Sequence, residues 1–138
     1  MKLPALLIFS LLLFGCKTEK KAEGAFETDV PERGELSLDS KIFLGNRLFS
    51  EKTCITCHDV YSVKKGPSVK KIMAVYKAKD GDIVAFLKGN AKPIVDTTAS
   101  QIAIMQENID GFLKKITDEE LGAIATYMMH VDELNPDW

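Results

Sequence analysis

Cys54-Ile55-Thr56-Cys57-His58 gathers two thiols and an imidazole within five residues. Two thiols three positions apart can add across the two vinyl groups of a haem as thioethers. The imidazole directly after the second then lies beneath the ring, within reach of the iron; this spacing is the attachment signature of a c-type haem. Other chemistries fit less well. A zinc site needs two further ligands at plausible spacing, and outside the pentapeptide the chain has only Cys16 and His130. A thioredoxin-like redox pair expects a βαβ pattern around it, and the sequence shows no credible strands. A structural disulfide leaves His58 without a role.

Covalent haem of this kind is attached after export, and the start of the chain is consistent with export. Met1-Lys2 is followed by an uncharged apolar run over residues 3–14, too short to cross a bilayer as a helix and shaped like a secretory signal. Gly15-Cys16 resembles the cleavage box of bacterial lipoproteins, in which the cysteine becomes residue one and is acylated. The alternatives are an ordinary signal peptide with an incidental cysteine, or an uncleaved anchor. Acylation accounts for the odd third cysteine, because a lipidated sulfur cannot scramble with the two haem thiols. Diacylglycerol plus an amide-linked chain makes a stable anchor, where a single chain holds weakly. Residues 1–15 thus read as signal and 16–38 as an acylated tether. The tether is rich in Lys, Glu, Thr, Ala, Gly and Pro and cannot bury enough apolar surface to offset its ordering entropy. It spans about 25 Å as a coil and about 70 Å stretched.

Residues 39–138 suffice for one small domain, to which a haem would contribute much of the core. The chain carries 18 basic and 20 acidic residues. Removing Lys2 with the signal leaves the mature chain mildly acidic, and nothing suggests a nucleic-acid partner. Asp39 or Ser40 can cap a first helix running to about Phe49, with Ile42, Leu48 and Phe49 on its apolar side and Gly45 open to close approach. Pro67 suits the first position of a second helix carrying Val69, Ile72, Met73, Val75 and Tyr76. Asp82 can cap a short helix through Ile83, Phe86 and Leu87, stopped at Gly89-Asn90. Residues 91–116 show no clean period. Thr117-Asp118-Glu119-Glu120 fits a capping box opening a last helix with Leu121, Ile124, Ala125, Tyr127 and Met128 inward, ended by Asn135-Pro136. The domain reads as all-α.

Over residues 39–131 this order of motifs resembles a class I cytochrome c: Gly45-x-x-x-Phe49, then Cys-x-x-Cys-His, then Gly66-Pro67, then a closing helix with an aromatic residue. The resemblance implies a small all-α fold in which the N- and C-terminal helices cross around one covalent haem c. Gly45 and Phe49 would meet Ile124 and Tyr127. The Pro67 carbonyl would accept the Nδ1 proton of His58, fixing the ring and raising its basicity.

The open side of the iron decides the chemistry. Met73, Met128 and Met129 fall in helices where core or surface packing is their simplest role. His130 is most simply a solvated helix-end residue favoured by the helix dipole. Met105 lies in the irregular stretch before the last helix, where the family carries its ligand methionine. Asn108 stands at the offset from which some bacterial members donate an amide hydrogen to that sulfur; alternatively it only makes a turn. The set implied is Cys54, Cys57, His58, Met105, Pro67 and Asn108, with His58 and Met105 on the iron and Cys16 carrying lipid. His/Met ligation fills both axial sites and raises the reduction potential relative to bis-His. The chain therefore reads as a lipid-anchored electron carrier, not an enzyme, on the periplasmic side of a bacterial envelope, exchanging electrons with redox protein partners. The competing readings are a haem enzyme or gas-sensing domain with an open or displaceable distal site, and a fixed haem subunit of a larger oxidoreductase.

Overall fold

The computed structural model describes residues 34–134, whose regular elements are helices. The expected signal and Cys16 at residues 1–16, most of the expected tether and the expected Asn135-Pro136 stop lie outside the described residues. Six helices follow in order: α1 (Leu38–Glu51), α2 (Val69–Ala78), α3 (Ile83–Leu87), α4 (Ala99–Asp110), α5 (Asp118–Met129) and α6 (Val131–Leu134). Single 3-10 turns occupy Cys54–Thr56 and Leu113–Lys115. The described residues contain no strand beyond an isolated His58–Val63 bridge. None of their helices is long and apolar enough to cross a membrane.

Local chemistry explains most boundaries. Ser37, not Asp39 or Ser40, caps α1: its hydroxyl accepts the Ser40 amide at 3.3 Å. Asp39 then falls in the first turn, where a negative charge meets the positive end of the helix dipole. Val69, not Pro67, takes the first position of α2, and Ser68 caps it by accepting the Lys71 amide at 3.3 Å. Pro67 stands just before that cap, two residues ahead of the first helical residue, so its carbonyl is free for the site described below. Asp82 caps α3 as expected, accepting the Ala85 amide at 2.9 Å, and Gly89 ends it with a positive φ of 77°, a conformation that suits a residue without Cβ. The Thr117 capping box forms in full: the Glu120 amide donates to Thr117 Oγ1 at 3.2 Å and the Thr117 amide donates to Glu120 Oε2 at 2.9 Å.

The departure from expectation is α4. Residues 99–110 form a regular twelve-residue helix where the sequence shows no apolar period. Only Ile109 of its side chains is buried. Its inner face (Gln101, Ile104, Met105 and Asn108) lines a cleft, so the usual apolar stripe is diluted by two amides.

α5 is the hub, packing on α1, α2, α3 and α6. Its crossing with α1 is built at Gly45. A Cβ there would stand 2.6 Å from the Ala123 carbonyl carbon and 2.8 Å from Tyr127 Cβ, closer still to the Ala123 oxygen. The backbones can approach only because Gly45 has no side chain. Phe49 then meets Tyr127 with ring centroids 5.6 Å apart and planes tilted by 55°, a favourable aromatic geometry. Ala123 and Tyr127 stand nearest to Gly45, and Ile124 is buried in the same core as Phe49 and Tyr127 and lines the cleft.

Candidate haem site

α1 delivers the chain to the pentapeptide through a strained corner. Thr53 adopts φ 61°, left-handed backbone that a β-branched residue rarely takes. Its carbonyl accepts both the amide and the hydroxyl of Thr56, at 3.1 and 2.7 Å. The following turn is closed by Cys54, whose carbonyl accepts the amides of Cys57 and His58 at 3.1 and 2.9 Å. One carbonyl thereby sets both thiols and the imidazole on a single compact turn. Cys54 and Cys57 are free and half-buried. Burial, aided by the neighbouring Cys57, pushes the Cys54 thiol up. A redox or metal-binding cysteine is usually a depressed thiolate, and Cys54 is shifted the other way. No group of three metal-ligating side chains capable of holding a bare ion occurs among the described residues.

His58 is fixed by the segment that returns beneath it. Its Nδ1 lies 2.8 Å from the Pro67 carbonyl. A carbonyl only accepts, so Nδ1 carries the proton and Nε2 keeps the lone pair that can bind a metal. Gly66 makes the approach: a Cβ there would stand 2.6 Å from His58 Cε1 and 3.0 Å from Nδ1. The two segments are laced by Gly66 N to Cys57 O at 3.0 Å, Val69 N to Asp59 O at 2.9 Å and Lys70 N to Val60 O at 3.1 Å. Asp59 turns the intervening loop, its carboxylate accepting the Tyr61 and Ser62 amides; those bonds hold its carboxyl below the usual range.

Cys54, Cys57, His58, Pro67, Met105 and Asn108 line one cleft of about 220 Å³. Its floor is apolar, built from residues such as Phe49, Ile72, Ile83 and Phe86. Tyr76 joins this lining, and burial with the Asp82 charge pushes its hydroxyl up to about 12, so it stays neutral. Met105, half-buried, packs against Ile109, Leu113, Ile116 and Leu121. Met73 is in the core, as expected of it. Met128 is buried too and lines the cleft, whereas Met129 is exposed. His130 caps the end of α5 half-buried, its Nδ1 donating to Thr126 O at 2.8 Å within its own helix. Asn108 does not make the bond the resemblance implied: its amide donates to Ile104 O at 3.0 Å, one turn back along α4.

Gln101 is a further residue of the cleft. Its Nε2 donates to Lys65 O at 3.0 Å, joining α4 to the loop under His58. Thr98-Ala-Ser-Gln101 has the spacing of a capping box and could have announced α4. Here, however, the Thr98 hydroxyl donates to Asp96 at 2.8 Å and Gln101 reaches away from the helix.

The donor set fits a haem: two free thiols on one turn, an oriented imidazole nitrogen and a thioether, all on a mainly apolar cleft. The pattern of the family described as Cytochrome c matches residues 43–132, most of the folded domain, and the chain belongs to that family. No curated protein matches the chain. Membership with Cys-x-x-Cys-His in place implies one covalent haem c, the role of a haem-based electron carrier and redox proteins as partners.

Proposed function

We propose that this protein is a lipid-anchored carrier of single electrons on the periplasmic side of a bacterial membrane, with His58 and Met105 as its axial ligands. The observation that carries the reading is that the His58 ring, oriented on Pro67 O, and the Met105 thioether line the same apolar cleft as the two cysteines. A bound haem supplies the one-electron couple. The chain's own residues do the rest. Cys54 and Cys57 hold the group covalently, and Pro67 keeps the proton on His58 Nδ1 so that Nε2 donates. Met105 offers a soft, neutral sulfur that favours the reduced ion. Apolar side chains such as Phe49, Ile72 and Phe86 exclude water and lower the local dielectric.

Met105→Ala tests the ligand assignment. The oxidised parent should show a thioether-to-iron charge-transfer band in the near infrared. The variant should lose it and, when reduced, bind carbon monoxide. A variant with the parent's spectrum, with the band erased instead by Met73→Leu, Met128→Leu or Met129→Leu, places the ligand elsewhere. The anchor rests on Gly15-Cys16 behind an apolar signal and on the polar stretch that follows. Cys16→Ala should abolish incorporation of labelled palmitate and leave the haem intact; continued labelling refutes the anchor. One observation favours the second reading, a displaceable distal site as in a haem enzyme or gas sensor: α4 has a single buried residue. Ready carbon monoxide binding by the reduced parent would select it.

A further inference from the structure

The distal wall of the cleft is a helix that the domain holds lightly. The main packing partner of α4 is the turn Leu113–Lys115 directly after it. Thr98 gives it no side-chain cap. The hydrogen bonds of Gln106 to Asp110 and of Asn108 to Ile104 stay inside the helix. Among the described residues, one side-chain hydrogen bond ties α4 to a distant part of the chain: Gln101 Nε2 to Lys65 O, at 3.0 Å across 36 residues.

Gln101 stands four residues before Met105, so the two share a helix face, and both line the cleft. Its acceptor stands two residues before Pro67, whose carbonyl accepts the His58 proton. The tripeptide Lys65-Gly66-Pro67 therefore holds both sides of the site: Lys65 O takes the distal helix, Gly66 clears space for the imidazole, and Pro67 O orients it. We propose that Gln101 is a positioning residue that latches α4 to the Lys65 carbonyl and thereby sets how readily Met105 leaves the iron. This rests on the reading of Met105 as an axial ligand.

The latch exists only while α4 is closed over the cleft, so its loss shifts the equilibrium toward the open form. A neutral hydrogen bond of this kind is worth about a two- to tenfold change in that equilibrium. While Met105 holds the iron, an external ligand binds only once the sulfur has left with the opening helix, so its apparent affinity scales with the open fraction.

The test is an optical titration of the oxidised, haem-loaded full chain with imidazole. Gln101→Ala and Gln101→Met, the second keeping side-chain length without the donor, should bind imidazole about two- to tenfold more tightly than the parent. Both should keep the Met-ligated spectrum before imidazole is added. Gln106→Ala, which removes a hydrogen bond of similar length inside the same helix, should leave the affinity unchanged. In a Met105→Ala background, Gln101→Ala should also change nothing, because no sulfur remains to be displaced. Parent-like affinity in both Gln101 variants overturns the latch. So does an equal gain from Gln106→Ala, which would mean general loosening of α4, or an equal gain in the Met105→Ala background, which would mean control of imidazole entry alone. The two readings fail separately. If Met105→Ala opens the site while the Gln101 variants do nothing, the latch alone falls; if Met105→Ala changes neither spectrum nor affinity, the ligand assignment falls and takes the latch with it.

Discussion

Two glycines on the crossing helices should respond oppositely to one added methyl group. Alanine is favoured over glycine inside a helix by about 1 kcal/mol, so propensity alone predicts that both Gly45→Ala and Gly122→Ala stabilise the domain. Packing separates them. At Gly122 the new Cβ meets nothing within 4 Å, and the propensity gain of about 0.5–1 kcal/mol should appear in full. At Gly45 it meets the Ala123 carbonyl carbon at 2.6 Å and Tyr127 Cβ at 2.8 Å. Carbon atoms pack at about 3.5–4.0 Å, so the helices must part by roughly 1 Å. The obstructing atoms are backbone and Cβ, which no rotamer change can move aside. Overpacking of this kind costs about 1–3 kcal/mol, and the Phe49–Tyr127 contact on the same seam would loosen with it. Because the clash is with backbone, the cost falls in the upper part of that range and the propensity gain offsets only part of it, so we expect Gly45→Ala to fall below the parent by about 2 kcal/mol. Urea unfolding of the haem-loaded protein, followed by far-ultraviolet circular dichroism, reads both changes. A Gly45→Ala variant as stable as the parent would falsify the crossing, because the same geometry forbids it.

Gly66→Ala should disturb the proximal side specifically. Its Cβ would stand 2.6 Å from His58 Cε1, so either the ring moves or the 2.8 Å bond to Pro67 O breaks. Haem incorporation and the optical spectrum should both change, and a parent-like spectrum would show that His58 does not lie against Gly66. The capping box gives the domain an acid limb. The Glu120 carboxyl is held below its ordinary value of 4.5 by the Thr117 amide and by Lys52. A carboxyl depressed in the folded state contributes stability above its unfolded pKa, and this is lost as pH falls through the folded value. Glu120→Gln should therefore lower stability at neutral pH and flatten its decline below pH 4.5; an unchanged acid limb in urea titrations across that range would rule this contribution out.

What could be read along the chain was what short spacings determine. The turn at Cys54 places two thiols and an imidazole together through bonds spanning three and four residues, so Cys-x-x-Cys-His carries its chemistry wherever the chain goes. The Thr117–Glu120 box and the Asp82 cap are equally local, and the all-α character follows from such signals repeated. Gly45 and the Gly66-Pro67 pair became meaningful only through the order of motifs, because a glycine does not name what will approach it. The tertiary structure put Ala123 under Gly45, moved Pro67 out of α2 so that its carbonyl could serve His58, and wound residues 99–110 into a helix. That helix was hidden for a physical reason. Periodicity reports the burial of side chains against protein, and the inner face of α4 meets a cleft, where Gln101 and Asn108 are as much at home as Ile104 and Met105. The bond from Gln101 to Lys65 spans 36 residues; no spacing rule reaches that far, and only the folded chain brings its two ends together.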